Sequence, residues 1–245
     1  MNLEFRAGLL GWPLVHSLSP VIHDIFMQHY RMDGSYRLFP VESANLLTMV
    51  ADLKGKGFTG LNVTVPHKIA VGKLCATLSP EAEAAGAVNT MVFKDGIVRG
   101  YNTDVAGFRV MAATLPSPLF VVGKGGVAGA VRVALKSSEV TFLGRGEIIP
   151  ETDRPARATV VNATRIGWND TDIFPLDIPS GWSFADLNYN PRWLWRNSLS
   201  SPVVTGERML VEQAAESFRL WTGHTPDEEL KTMVLERIRE TLHEK

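Results

Sequence analysis

Short apolar runs that end at glycine or proline alternate with helix-length amphipathic stretches along this chain. Such apolar runs are typical of buried parallel strands, and the amphipathic stretches are typical of the helices that connect them. The pattern therefore predicts an α/β fold with mostly parallel strands. No internal repeat or low-complexity tract interrupts it.

Helix signals are clearest near the two ends of the chain. SPVIHDIFMQHY predicts the first helix, with Ser19 as N-cap and Pro20 at the first helical position. Its apolar stripe would consist of Val21, Ile22, Ile25, Phe26 and His29. Near the C-terminus, RMLVEQAAESFRLWTG predicts a helix that ends at Gly223. TPDEELKTMVLERIRETLHEK predicts another, which begins with a capping box from Thr225 to Glu228.

A β-hairpin is predicted where Asp95-Gly96 separates NTMVFK from IVRGYN, because this dipeptide favours a two-residue turn. The turn sets a register in which Asn89 lies opposite Asn102. If the second strand extends to Asp104, period-two alternation puts Asp104 on the same face as Asn102. The three polar side chains would then meet at the open end of the hairpin.

Polar side chains also surround the end of a predicted strand in GLNVTVPHK, residues 60–68. Asn62 and Thr64 share one face of this strand, and Lys68 follows it. Open α/β sheets bind ligands at such strand ends, and amide, hydroxyl and ammonium groups suit a polyhydroxylated acid. Ser17 and Ser19, beside a helix N-terminus, suit a carboxylate. An ordinary half-exposed strand and a solvated lysine are the alternative interpretation.

SPLFVVGKGGVAGAVRVAL reads as strand, glycine-rich turn and helix, which is the arrangement of a phosphate-binding loop. Gly123, Gly125 and Gly126 would let the backbone approach a pyrophosphate, although a turn without a ligand is the alternative. About twenty residues later, where such folds bind the ribose, VTFLGRG ends a second apolar run at Gly144 and Arg145. No acid occupies that strand end, so Arg145 predicts a 2′-phosphate and hence NADP, unless it is a solvated surface arginine.

Composition excludes several other functional classes. The 245 residues are 45% hydrophobic and 21% charged, and the net charge of -1 gives no basic footprint for nucleic acid. Cys75 is the only cysteine and the six histidines show no HExxH spacing, so neither a disulfide nor a metal site is expected. With Glu4 and Pro13, the first residues lack the long apolar core that a signal peptide needs, and no apolar run approaches membrane-spanning length. We expect a soluble cytoplasmic protein, a monomer or homodimer, with no nucleic-acid or membrane partner.

The motifs HSLSP, NVTVPHK, GAVNT, YNTD, VGKGGVAGAV, NATRIG, DLNYNP and MLVEQAA occur in this order and together resemble the shikimate dehydrogenase family. The resemblance implies reversible, NADP(H)-dependent reduction of 3-dehydroshikimate to shikimate. It implies a substrate-binding domain with a mixed sheet at residues 1–104, completed by 206–245. A shortened Rossmann-like NADP-binding domain would occupy 105–205. A quinate/shikimate dehydrogenase of broader specificity and a non-catalytic binding protein are the alternatives.

The resemblance also implies roles for individual residues. Lys68 and Asp104 would be the catalytic pair, and their joint presence favours an enzyme over a binding protein. The implied substrate-binding residues are Ser17, Ser19, Asn62, Thr64, Asn89, Tyr189 and Gln213. The implied cofactor-binding residues are Gly123, Gly125, Gly126, Val127, Arg145, Thr164, Leu187 and Gly206.

The chain departs from the family pattern mainly in the cofactor domain. Lys124 stands in the glycine loop where the family has a small residue. The segment 146–161 replaces a full crossover helix, and its Pro150 and Pro155 predict a loop with at most one helical turn. We therefore expect that flank of the cofactor sheet to be less covered by protein. The tryptophans of PRWLWRN are predicted to pack in the interior.

Overall fold

The computed structural model describes residues 4–14, 17–135, 140–144, 147 and 149–243. Within these ranges the strands form two sheets, a mixed sheet of six strands and an all-parallel sheet of five. The α/β class is the one that the alternation of apolar runs and amphipathic stretches predicts, and the two sheets agree with the fold that the resemblance implies. None of the described helices is long and apolar enough to cross a membrane.

The helices of the described ranges connect or flank the two sheets. Their bounds are α1 Ser19–His29, α2 Leu46–Gly55, α3 Pro80–Ala85, α4 Asp104–Ala112, α5 Gly126–Ala134, α6 Leu194–Asn197, α7 Glu207–Thr222 and α8 Glu228–His243. Single 3₁₀ turns occur at Ser43–Asn45, Ala70–Leu74 and Glu151–Asp153.

The mixed sheet has the strand order β2-β1-β3-β5-β6-β4. Its strands are β1 Phe5–Gly11, β2 Gly34–Pro40, β3 Gly60–Val63, β4 Thr77–Leu78, β5 Thr90–Lys94 and β6 Ile97–Tyr101. Only β5 runs antiparallel to its neighbours. Phe5, Ala7 and Leu9 of β1 point into a core with α1, α7 and α8, whereas Leu10 joins a second core with α2. The C-terminal helices thus return to the first sheet and cover one of its faces.

The predicted hairpin is present. Lys94 pairs with Ile97, and Asp95 and Gly96 both have positive φ, at 53° and 72°. Positive φ at both central residues is the geometry that an Asp-Gly turn favours. The register of β5 and β6 therefore follows from the turn.

The end of the hairpin differs from the prediction. β6 ends at Tyr101, and Asp104 is the first residue of α4 rather than part of the strand. Asp104 still meets Asn89, whose amide donates to it at 2.9 Å. Asn102 instead donates to the carbonyl oxygen of Ala87 at 2.9 Å. The predicted cluster of three polar side chains is therefore a pair.

The start of α1 also differs from the prediction. Leu18 is the N-cap and makes no side-chain capping bond, and Ser19 is already helical. The Ser17 hydroxyl accepts the backbone N–H of Ser19 at 3.3 Å. The buried face of α1 includes His23, whereas His29 of the predicted stripe is exposed. Ser19 is thus the first helical residue and not the cap.

The two C-terminal helices have the predicted order. Gly223 ends α7 in the left-handed region with φ 81°, as expected for a C-terminal glycine. At the start of α8 the Asp227 carboxylate accepts the N–H of Leu230 at 2.9 Å. The capping side chain is therefore Asp227 and not Thr225, which shifts the predicted helix start by two positions.

The parallel sheet has the strand order β11-β10-β9-β7-β8. Its strands are β7 Leu119–Val122, β8 Val140–Leu143, β9 Thr159–Asn162, β10 Ser183–Asp186 and β11 Val203–Thr205. Helix α5 connects β7 to β8. Between β8 and β9 the described residues contain only the 3₁₀ turn Glu151–Asp153, so the predicted loop-like crossover is confirmed.

The prediction of an exposed flank on this sheet holds only at β8, where Thr141 is exposed and Val140 and Phe142 are partly exposed. All residues of β7, β9 and β10 are buried. On the face opposite α5, Trp182 stacks on Phe120 with ring centroids 5.0 Å apart, and Phe174 and Trp193 join the same core. Trp193 is fully buried and stacks on Trp195, so the predicted packing role of PRWLWRN is confirmed. Away from β8, large aromatic rings thus cover the face that a crossover helix would otherwise cover.

Candidate active site

A cavity of about 810 Å³ lies where the carboxyl ends of strands from both sheets meet. Every predicted site residue lines it except Arg145, which lies outside the described residues. From the mixed-sheet side come Ser17, Ser19, Asn62, Thr64, Lys68, Asn89, Asp104 and Gln213. From the parallel-sheet side come Gly123, Gly125, Gly126, Val127, Thr164, Leu187, Tyr189 and Gly206. The fold thus gathers residues that are far apart in the sequence.

Lys68 and Asp104 form an ion pair in this cavity. The Lys68 ammonium donates to Asp104 Oδ2 at 2.6 Å, and the two side chains are 12% and 8% exposed. Lys68 follows β3, and its carbonyl accepts the N–H of Val88 at 2.8 Å, which fixes the backbone. Asp104 Oδ1 accepts from Asn89. Both carboxylate oxygens are therefore held, and the ammonium has a fixed position.

Both amide hydrogens of Asn89 are donated to other groups of the protein. Its Nδ2 donates to Thr103 Oγ1 at 3.0 Å as well as to Asp104, and its Oδ1 accepts the backbone N–H of Thr103 at 2.7 Å. A primary amide has two hydrogens. Asn89 therefore has no hydrogen left for a ligand, and its Oδ1, which also accepts from the Thr90 and Thr103 hydroxyls at 3.1 and 3.2 Å, can accept from a ligand only when these hydroxyls turn to other acceptors.

The amide of Asn62 is arranged in the same way. Its Oδ1 accepts from the Tyr36 hydroxyl at 2.8 Å, and its Nδ2 donates to Ser217 Oγ at 2.9 Å and Thr90 Oγ1 at 3.0 Å. Asn62 and Asn89 can therefore accept a hydrogen bond from a ligand hydroxyl, but neither can donate one to a ligand carbonyl.

Donors occupy other positions around the cavity. Ser17 and Ser19 lie at the N-terminus of α1, and Thr64 follows β3. Gln213 Nε2 uses one hydrogen on the carbonyl of Leu210 at 2.9 Å, which leaves the second for a ligand. The cavity thus separates hydroxyl-accepting amides from groups that can donate to a carboxylate or keto oxygen.

Tyr189 remains a neutral phenol at physiological pH. Burial raises the pKa of its hydroxyl to about 12, and the nearby charge of Glu207 acts in the same direction. Its ring packs edge-to-face on Trp168, with centroids 5.2 Å apart. Tyr189 can therefore donate a hydrogen bond into the cavity from a fixed ring.

The glycine loop has the properties of a phosphate site. Gly123 has φ 131°, and a methyl group built on it would lie 2.7 Å from the Ala163 carbonyl oxygen, so only glycine fits. Gly125 is the N-cap of α5 and makes no side-chain capping bond. It faces open space, because a methyl group built there meets nothing within 4 Å. The first N–H groups of α5 are thus accessible to an anion, and the loop fits a pyrophosphate.

The loop also lies against the ion pair. A methyl group built on Gly126 would lie 3.4 Å from Lys68 Cβ and 3.3 Å from Ala87 Cβ. The start of α5 therefore packs on the stem of the lysine. A phosphate-bearing cofactor at this loop would lie next to the charged end of Lys68.

Several residues of the site were not predicted from the sequence. Trp12, Arg165 and Trp168 line the cavity, and Ser217 and Tyr36 lie behind Asn62. Ser217 has a detectable signal, since it is a polar residue on the same helical face as Gln213, four positions earlier. Its partner Asn62 is too distant in sequence for any local pattern to connect them.

An acid also lies at the end of β8, where none was expected. The Glu147 carboxylate accepts the backbone N–H of Gly144 at 2.6 Å. The prediction that this strand end lacks an acid is therefore wrong. The acid comes from three residues further along, and its backbone N–H donates to the Gly144 carbonyl oxygen at 3.3 Å.

Comparison with known proteins identifies the family. Residues 9–91 match the family model for the shikimate dehydrogenase substrate binding domain, and residues 206–233 match that for the shikimate 5′-dehydrogenase C-terminal domain. The chain is 34% identical to the shikimate dehydrogenase (NADP(+)) of Methanothermobacter thermautotrophicus, over 94% of this chain and 95% of that protein. The chain belongs to the shikimate dehydrogenase family. It is thus a member of a family of NAD(P)-dependent dehydrogenases.

Solved structures agree with this assignment. The shikimate 5-dehydrogenase of Thermus thermophilus, in complex with NADP(H) and shikimate, matches with a TM-score of 0.81 and 32% identity, over 95% of this chain and 99% of that chain. The ligand-free 5-ketofructose reductase of Gluconobacter sp. strain CHM43 has the same fold, with a TM-score of 0.74 and 22% identity over 97% and 100%. Because this fold also occurs in a reductase with a different name, the substrate must be argued from the site.

Proposed function

We propose that this protein is an NADP-dependent shikimate dehydrogenase that reversibly reduces 3-dehydroshikimate to shikimate in the cytoplasm, a step of chorismate and aromatic amino-acid biosynthesis. The observation that carries the proposal is the Lys68–Asp104 ion pair. It lies between amides that accept from hydroxyls and a loop suited to a pyrophosphate. The shikimate dehydrogenases among the relatives support the same substrate.

The separation of donors and acceptors suits this substrate. In the proposed binding mode the substrate carboxylate accepts hydrogen bonds from Ser17 and Ser19, and the substrate ring hydroxyls donate to Asn62 and Asn89. A keto group cannot pair with either amide, because their hydrogens are used within the protein. The only charged donor among these groups is Lys68. This arrangement would direct the keto carbon to the lysine and leave the hydroxyl-bearing carbons at the amides.

In the proposed mechanism, Lys68 acts on the oxygen of the reacting carbon. NADPH, when bound, would supply the hydride to the keto carbon. The Lys68 ammonium would donate a hydrogen bond to the keto oxygen, stabilise the negative charge that develops there, and supply the proton that completes the hydroxyl. Asp104 keeps the ammonium in place, and Asn89 holds Asp104 from the other side.

The proposal divides the chain as the sequence predicts. Residues 1–104 and 206–245 would bind the substrate, and 105–205 would bind NADP. The pyrophosphate would lie at the glycine loop, and the 2′-phosphate would be bound by Arg145. The residues proposed to hold the rest of the cofactor are Val127, Thr164, Leu187 and Gly206.

An absorbance assay at the reduced-nicotinamide band tests this proposal. Purified protein is mixed with shikimate and either NADP⁺ or NAD⁺, and quinate is tested in parallel. We expect reduced cofactor to form with shikimate and NADP⁺. Failure of shikimate with both cofactors would contradict the proposal, whereas equal turnover of quinate would show a broader specificity.

A further inference from the structure

The end of β8 carries a carboxylate that the proposed function does not use. Glu147 is exposed, but its carboxylate accepts the N–H of buried Gly144 at 2.6 Å, a short charge-assisted bond. A methyl group built on Gly144 would lie 2.9 Å from Glu147 Oε1 and 3.1 Å from Lys124 Nζ. The strand end therefore has a carboxylate on one side and an ammonium close by.

This carboxylate lies where dinucleotide-binding folds contact the ribose of the cofactor. β7, the glycine loop, α5 and β8 form the strand-turn-helix-strand unit of dinucleotide-binding folds. In such units an acid near the end of the second strand binds a free ribose 2′-hydroxyl, whereas a cationic side chain accommodates a 2′-phosphate. Here the second strand is β8, and the acid reaches its end through the loop.

We propose that Glu147 is a specificity-determining residue that opposes the 2′-phosphate and favours a free 2′-hydroxyl, so that the protein binds NAD as well as NADP. The inference rests on the proposed function, since it requires a dinucleotide at the glycine loop. A 2′-phosphate at the strand end would repel the carboxylate or force it off the Gly144 N–H. A 2′-hydroxyl could donate to the carboxylate where it stands.

Lys124 limits the size of this effect, and so would Arg145, the residue proposed above to bind the 2′-phosphate. Its ammonium lies on the same strand end and lines the cavity, so it can approach a 2′-phosphate and offset part of the repulsion. Glu147 is also exposed and can swing into solvent, where water and salt screen its charge. We therefore expect a narrow margin between the two cofactors rather than exclusion of either.

Binding measurements on the full-length protein without substrate test this inference. Dissociation constants of NADP⁺ and NAD⁺ are measured by calorimetry for the unmutated protein, Glu147→Gln and Glu151→Gln. Glutamine can still accept the Gly144 N–H, so the loop should keep its fold. Glu151→Gln removes the same charge from an exposed residue of the same segment and serves as the matched control.

We expect Glu147→Gln to lower the dissociation constant of NADP⁺ about tenfold, or ~1.4 kcal/mol, without lowering that of NAD⁺. The gain should shrink at high salt, and Glu151→Gln should change neither constant. Lys124→Ala should weaken NADP⁺ more than NAD⁺. An unchanged ratio of the two constants in Glu147→Gln would overturn this inference and leave the proposed function standing. Absence of nucleotide binding by the unmutated protein would overturn both.

Discussion

The two walls of the cavity are built in different ways. On the mixed-sheet wall, polar side chains are buried and bonded to one another, as in the contacts of Asn62 with Tyr36 and Ser217. On the parallel-sheet wall, the glycine loop is largely open, and the first turn of α5 has no capping side chain. The first wall is therefore complete before a ligand arrives, whereas a ligand would complete the second.

This difference predicts where substitutions act. A buried polar group that loses its partner costs roughly 1–3 kcal/mol, so changes in the mixed-sheet wall should disturb the geometry of the reacting groups. A change at Gly125, the open position of the glycine loop, should alter cofactor affinity and leave that geometry intact. The predictions below test the contrast, beginning with the largest expected effect.

Lys68→Ala should lower kcat about 10²–10⁴-fold, the usual contribution of a positioned acid–base group. The Michaelis constant for shikimate should change far less, because the ammonium acts mainly when charge develops on the oxygen. Steady-state kinetics measure both constants. Lys73→Ala, in the following 3₁₀ turn, is the control and should behave as the unmutated protein. Near-normal turnover in folded Lys68→Ala would remove this lysine from the mechanism.

Asn89→Ala should lower kcat on the order of 10–100-fold, since Asp104 Oδ1 loses the donor that fixes it. The pH profile of kcat should shift as well, because Asp104 then holds the ammonium less firmly. Asn102→Ala is the matched control: Asn102 is also buried but donates to a backbone carbonyl. It should lower the melting temperature and keep kcat. Equal loss of kcat in both variants would show a general packing effect and weaken the contrast between the walls.

Gly125→Ala should weaken NADP⁺ binding roughly tenfold without lowering stability, because the added methyl meets no protein atom but narrows the space above the helix N-terminus. Gly123→Ala should instead destabilise the fold. Its positive φ strains any residue with a side chain, and the added methyl group would collide with the Ala163 carbonyl oxygen. Calorimetry and thermal unfolding separate the two effects. Unchanged nucleotide affinity in Gly125→Ala would place the pyrophosphate elsewhere.

The smallest effects concern pH and stability. Burial lowers the pKa of His23 from 6.5 to about 3, and its ring stacks on Tyr36 with centroids 4.1 Å apart. The unfolded chain takes up this proton below pH 6.5 and the folded chain does not, so stability is lost as pH falls from 6.5 towards 3. Urea unfolding at about pH 7.5 and about pH 5 should therefore show a smaller loss in His23→Phe than in the unmutated protein. The exposed control His29→Phe should keep the full loss.

Asp186, in the parallel sheet, should contribute to the pH dependence of stability with the opposite sign. Burial raises the pKa of Asp186 from 3.8 to about 6, although Arg196 contacts it at 2.9 Å. The folded chain then binds this proton more readily than the unfolded chain, so stability is lost as pH rises from 3.8 to 6.

The comparison of His23→Phe with the unmutated protein isolates the contribution of His23, because Asp186 is the same in both proteins. Equal pH dependence of His23→Phe and the unmutated protein would contradict the assignment.

Local features of the fold were predictable from the sequence. The hairpin at Asp95-Gly96, the glycine loop and the stop at Gly223 each depend on a few neighbouring residues with strong backbone preferences. The start of α1 was mispredicted because its N-cap is Leu18, whose side chain cannot cap a helix, so the preference for serine at this position pointed to the wrong residue. Turn residues with strong backbone preferences are predictable locally, whereas a cap without a capping side chain leaves no such signal.

Long-range pairings were not predictable in the same way. Trp182 covers Phe120 and so replaces the missing helix, but no pattern connects two residues so far apart in the sequence. The same applies to Ser217 and Asn62. Glu147 was missed because it lies three residues beyond the strand end, and only the structure shows that its carboxylate contacts Gly144. The family motifs supplied the site residues themselves, and the structure supplied their hydrogen-bonding directions.

Shikimate binding to the protein in the absence of nucleotide tests the contrast between the walls most directly. If the mixed-sheet wall is complete before the cofactor binds, calorimetry should detect shikimate with a dissociation constant near its Michaelis constant. Gly125→Ala should leave that value unchanged, and Asn62→Leu should weaken it, since the ring hydroxyl loses its acceptor. Shikimate binding that appears only after NADP⁺ has been added would contradict the account and show that the cofactor assembles both walls.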